Sequence, residues 1–102
     1  MQVRLIIPNV SDDTPIALYE EAIADIAGGF TSWQGVGGWK DENGDLIVEY
    51  VTVVDTSLQG GDCMPTSLAL SDLRYLAKRI ARELNQKSVY LSIDGKVEYV
   101  KP

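Results

Sequence analysis

The sequence predicts an α+β domain: one antiparallel sheet with two helices packed on one face. Three observations predict it. Apolar residues alternate with polar ones in several short runs, the period of a strand. Two longer runs repeat their apolar residues every three or four positions, the period of a helix. Glycine, asparagine and aspartate punctuate the joints between them.

In order, residues 3–7 read as a strand, with Val3, Leu5 and Ile7 on one face and Arg4 and Ile6 on the other. Thr14 or Asp13 is expected to cap the first helix, with Pro15 in its first turn, where a missing N–H has no helical partner anyway. Its stripe is Ile16, Tyr19, Ile23, Ile26, Ala27 and Phe30, and Gly28-Gly29 ends it. Residues 31–40 form a glycine-rich strand, and residues 41–45 a turn in which Asn43-Gly44 supplies positive φ. Residues 46–54 return as the most β-branched strand of the chain. Residues 55–65 are expected to be a polar loop and the best candidate for mobility.

Thr66, Ser67 or Ser71 starts the second helix, whose stripe is Leu70, Leu73, Ala77, Ile80, Ala81 and Leu84. Residues 89–93 and 97–100 are strands joined by Asp94-Gly95. The order β-α-β-β-α-β with a short C-terminal strand is the ferredoxin-like arrangement. Its strand order, 4-1-3-2, places the glycine-rich strand at an edge. In residues 46–54, Ile47, Glu49, Val51 and Val53 share one face, while Val48, Tyr50, Thr52 and Val54 share the other. Both faces are apolar, where a sheet with one wet face alternates apolar and polar. The face away from the helices is therefore expected to be covered, by a second copy of the chain, by a ligand, or by both at one interface.

The chain of 102 residues is one domain, large enough to bury a core without disulfide or metal. A formal net charge of −6 disfavours general nucleic-acid binding, which needs a basic surface. No apolar run is long enough for a membrane span, and the N-terminus lacks a secretory h-region; with a single cysteine these predict a cytoplasmic protein. Absence of histidine removes the commonest general base and zinc ligand, and no cofactor is expected.

The segment from Gly28 to Asp55 departs most from ordinary packing. It holds both tryptophans, and Gly28, Gly29, Gly35, Gly37 and Gly38 precede its turn. Its motif, GG-x-T followed by G-x-G-x-W-x-D-x-x-G and a valine-rich strand, resembles a group of small bacterial and phage proteins of uncharacterised function. The resemblance extends to the second helix and the strand after it, covers most of the chain, supports the ferredoxin-like fold and implies no activity.

Four groups of residues bear on function. Gly28, Gly29, Gly35, Gly37 and Gly38 can turn backbone N–H groups toward an anion, Thr31 and Ser32 can add hydroxyls, and Trp33 and Trp39 offer flat surfaces to a nucleobase. The structural alternative is a sharp helix exit and a twisted edge, with the tryptophans in the core. No lysine and Ser/Thr follow the glycines, so this is not a P-loop. Arg74 and Lys78, with Arg82, form a basic flank that can hold phosphate or simply pair with Asp72 and Glu83 on the surface. Cys63 has no histidine to serve it as base. The acidic pairs and triplets lack EF-hand spacing, and Glu49, alone in an apolar strand, is the carboxylate of interest.

The reading these support first is a non-enzymatic, oligomeric binding module for a phosphorylated or aromatic small molecule, such as a nucleotide-like signal sequestered by a phage protein. The second is an acidic phage or plasmid inhibitor that docks on a basic host protein. An enzyme is third, since histidine is missing.

Overall fold

The computed structural model describes residues 1–58 and 66–102. Its elements are β1 (Gln2–Pro8), α1 (Ile16–Ala27), β2 (Thr31–Lys40), β3 (Leu46–Ser57), α2 (Thr66–Glu83), β4 (Val89–Ile93) and β5 (Lys96–Val100). The strands form one sheet in the order β2-β3-β1-β4-β5, with every neighbouring pair antiparallel. The chain is α+β, and the glycine-rich strand lies at an edge.

Both helices pack on one face. Val3, Leu5 and Ile7 of β1, Val54 of β3 and Val89 and Leu91 of β4 form a single buried cluster with Tyr19 and Ile23 of α1 and Leu73, Ala77 and Ile80 of α2. These are the alternate strand positions and helical stripes that the sequence marks. Burying such side chains stabilises the fold by roughly 1.5–3 kcal/mol each. Tyr19 brings a polar end into this cluster; its hydroxyl donates to Glu83 Oε1 at 2.8 Å, tying α1 to α2.

Several local details differ from expectation. Neither Thr14 nor Asp13 caps α1: Pro15 occupies the N-cap and no side chain bonds to the helix. The Thr14 hydroxyl is engaged instead in a turn with Ser11. Phe30 lies beyond the helix and is exposed. In the turn after β2 only Gly44 takes positive φ; Asp41 organises it by accepting from the N–H groups of Asn43 and Asp45. β3 runs three residues past Val54, because Asp55, Thr56 and Ser57 pair with Arg4, Val3 and Gln2 of β1. The expected polar loop is shortened accordingly: Leu58 is buried in the core cluster, and residues 59–65, with Cys63, lie outside the described residues.

β1 stops pairing with β3 at Pro8, opposite Val51. Past that point β2 and β3 pair only with each other, from Val36↔Tyr50 to Lys40↔Leu46. This two-stranded ribbon carries Val36, Leu46, Val48 and Tyr50 on the side of the sheet that bears the helices, all well exposed.

Candidate functional site

The face away from the helices is a floor of cross-strand rows. One row runs across all five strands: Trp33 opposite Val53, Val53 opposite Ile6, Ile6 opposite Tyr90, Tyr90 opposite Tyr99. The two tyrosines meet edge to face, with ring centroids 6.0 Å apart. The adjacent row carries Thr31, Asp55, Arg4, Ser92 and Val97. Here Arg4 makes a two-pronged pair with Asp55, at 2.7 and 2.9 Å, and its guanidinium lies 5.3 Å from the centre of the Trp33 ring. The hydrogen bonds from Arg4 hold the Asp55 carboxyl below its ordinary range.

On the other side of the five-residue row, Gly35 and Gly37 of β2 face Val51 and Glu49 of β3. Absence of side chains on β2 leaves a trough, with Trp39 at its far end. Trp33 and Trp39 share this face but stand about 20 Å apart at strand spacing, too far for one ring to touch both. Neither packs in the core: they are 44% and 46% exposed.

The trough opens into a cavity of about 520 Å³, of the size that holds a nucleoside-sized ligand. Its walls include Trp39 and Glu49 from the ribbon, Ile6 from β1, Tyr90 and Tyr99 from β4 and β5, and the turn of Asn85 to Ser88 between α2 and β4. Glu49 is half-buried there. Burial alone raises its carboxyl above the ordinary value, with no neighbouring charge or hydrogen bond contributing. A carboxylate unpaired in such a cleft has the capacity to take a cation or a hydrogen-bond donor.

The other expected site residues are scattered. Gly37, Gly38 and Trp39 line the cavity, and Gly35 lies beside it. Gly29 and Thr31 belong to a smaller hollow near Asp55 at the opposite end of β2. Gly28 takes the left-handed C-cap of α1 at φ 92°, and its N–H is already given to Ala24. Gly29 accepts from the Thr56 hydroxyl. Arg74 and Lys78 lie on α2, across the sheet from the tryptophans. Arg74 is bound in two places to Glu98 of β5, at 2.7 and 3.1 Å. The basic flank and the glycine-tryptophan segment therefore do not converge.

Tyr99 and the turn of Asn85 to Ser88 are cavity residues not anticipated. Tyr99 was accessible from register: a two-residue turn at Asp94-Gly95, with φ of 50° and 83°, forces Tyr90 opposite Tyr99. No local signal marks the turn, which reaches the cavity only because α2 ends beside the ribbon.

No family model and no curated protein matches the sequence. Two solved structures match its fold over nearly the whole chain. One is a phage SAM lyase in its apo state, with TM-score 0.65, 15% identity, and coverage of 99% of this chain and 88% of that one. The other is a phage SAM lyase in complex with S-methyl-5′-thioadenosine, with TM-score 0.64, 17% identity and the same coverages. The likeness is one of fold. Among the described residues no cluster of metal-ligating side chains occurs, and no helix is long and apolar enough to cross a membrane.

Proposed function

We propose that this chain binds S-adenosylmethionine in the cavity around Glu49 and cleaves it as a lyase, in a homo-oligomer. The observation that carries the reading is the end-to-end likeness to a lyase of that substrate, in a chain whose open sheet face holds a nucleoside-sized cavity with aromatic walls and an unpaired carboxylate. The chemistry suits a chain without histidine. A sulfonium is already a good leaving group, so no side-chain nucleophile is required. The S–Cγ bond breaks and its electron pair goes to sulfur, which leaves as neutral S-methyl-5′-thioadenosine. The four-carbon fragment satisfies its electron-poor carbon by closing onto its own carboxylate, or by losing the proton of the adjacent carbon to the Glu49 carboxylate, so no water is consumed. The protein's contribution is to hold the substrate in a productive shape and exclude water.

We read the fold as ferredoxin-like, extended by β5; the order β4-β1-β3-β2 within the sheet and the single helical face support this. We assign the uncovered surface to a second copy. The ribbon's apolar side and the tyrosine end of the open face are both unburied, and a ribbon of one copy laid on the face of the next covers both.

The test is direct. Purified protein incubated with S-adenosylmethionine should release S-methyl-5′-thioadenosine, followed by liquid chromatography and mass spectrometry, and Glu49→Gln should slow release at least tenfold. Binding without turnover returns the protein to a sequestering role. Neither binding nor turnover removes the reading.

A further inference from the structure

We infer that the cavity selects its ligand by the positive charge at sulfur, favouring a sulfonium over the neutral thioether of the same nucleoside, with Glu49 as the group that reads the charge. The inference rests on the function proposed above. Glu49 is the one carboxylate among the described cavity walls, and it faces no side chain across the strand pair because its partner is Gly37. Trp39 is its diagonal neighbour across the β2–β3 ladder, and Tyr90 and Tyr99 stand on the far wall of the same cavity. Ring faces attract cations, and the attraction grows as water is excluded. The one cation among the described cavity walls, Lys87, has its ammonium 3.8 Å from Glu42 and its side chain almost entirely in solvent. It does not neutralise Glu49. The hydroxyl and amino donors of the nucleoside can bond to a carboxylate too, but they are the same in sulfonium and thioether, so only the charge at sulfur gives Glu49 a preference between the two.

The consequence concerns turnover. Cleavage turns the cation into a neutral thioether, so the attraction that holds the substrate is absent from the product. The substrate is held more tightly than the nucleoside product, which favours product release.

Two uncleavable ligands isolate the charge. S-adenosylhomocysteine is neutral at sulfur, while sinefungin carries a protonated amine at the corresponding place. Binding is followed by quenching of Trp39 fluorescence in wild type, Glu49→Gln and Glu49→Asp, each checked by its melting curve. Wild type should bind sinefungin at least tenfold more tightly than S-adenosylhomocysteine. In Glu49→Gln the two should agree within threefold, and Glu49→Asp should restore part of the difference. Equal binding of both ligands by wild type overturns the inference and leaves the proposed function standing. A preference that survives in Glu49→Gln overturns the role of Glu49. Binding of neither ligand overturns both readings.

Discussion

Glu49 stands opposite Gly37 across the β2–β3 ladder, so the carboxylate on the cavity wall has no cross-strand side chain beside it. The gap is tightly bounded. A Cβ on Gly37 would lie 3.3 Å from Val51 Cγ1, while one on Gly35 would lie at an ordinary 3.7 Å from Val51 Cγ2. Neither glycine has positive φ, so the backbone permits alanine at both. Gly37→Ala should change stability by no more than about 1 kcal/mol, since a small packing conflict opposes the gain in strand stiffness. It should weaken nucleoside binding at least tenfold, because the methyl group occupies the trough next to Glu49. Gly35→Ala, measured by the same calorimetric titration, should weaken binding less.

Glu49 also has a signature in stability. Its carboxyl is raised by burial, so the folded protein holds the charged form less well than the unfolded chain does. For a raised carboxylate the cost is absent below the unfolded value near 4.5, grows as pH rises from there to the folded value, and is fully present above it. Glu49→Gln should therefore leave the melting temperature unchanged or slightly higher at pH 7, with the advantage disappearing below about pH 4. A clear loss of stability at pH 7 would mark Glu49 as a structural residue.

The tryptophans separate by role. Trp33 lies under Arg4, and removing its ring loses a cation–π contact at a half-exposed position, worth about 0.5–1 kcal/mol. Trp39 lines the cavity and is as exposed. Both alanine variants should stay folded, without the roughly 3–5 kcal/mol loss of a core aromatic. Only Trp39→Ala should abolish the fluorescence response to ligand, and acrylamide should quench both indoles in the free protein.

Much of this was legible in the sequence, for physical reasons. Periodicity reports which side chains leave water, so β2 was anticipated to the residue, and so was the helical face built on Leu73, Ala77 and Ile80. The order of the elements, read as 4-1-3-2, put the glycine-rich strand at an edge, where β2 lies, and Glu49 was conspicuous as a carboxylate in an apolar strand. What sequence could not give was convergence. Arg74 and Gly37 are both chemically suggestive, yet α2 and the trough lie on opposite sides of the sheet, and only the crossover of the chain decides that. Nor does a run of alternating residues say where β1 stops. The ribbon exists because Pro8 ends the ladder at Val51 while β2 and β3 continue.

Tyr19 provides a check on the core that is independent of function. Burial, with the hydrogen bond to Glu83 next, pushes its hydroxyl up to about 12. Stability from the protonated phenol is complete below the unfolded value of 10.0 and is lost as pH rises from there through about 12. Ultraviolet titration should show this tyrosine ionising last. Tyr19→Phe should lower stability by about 1 kcal/mol and remove the late step.

The ribbon carries the assembly prediction. An isolated two-stranded ribbon is marginal in water, and this one exposes Tyr50 at 71%, Val36 and Leu46 at 65% and Val48 at 58%. Val51, by contrast, is already 6% exposed within a single chain, so a charge placed there would unfold the monomer before it informed on assembly. Val48→Glu is the sharper probe. Its side chain is solvated in one chain and becomes buried only if another copy covers the ribbon. Wild type should sediment as an oligomer at micromolar concentration, and Val48→Glu as a folded monomer with nearly unchanged secondary structure. Because the ribbon also supplies Trp39 and Glu49 to the cavity, ligand affinity should fall in the monomer even though Val48 points to the other side of the sheet. A wild-type monomer would leave the ribbon for a different protein, and Val48→Glu would then bind the nucleoside as tightly as wild type.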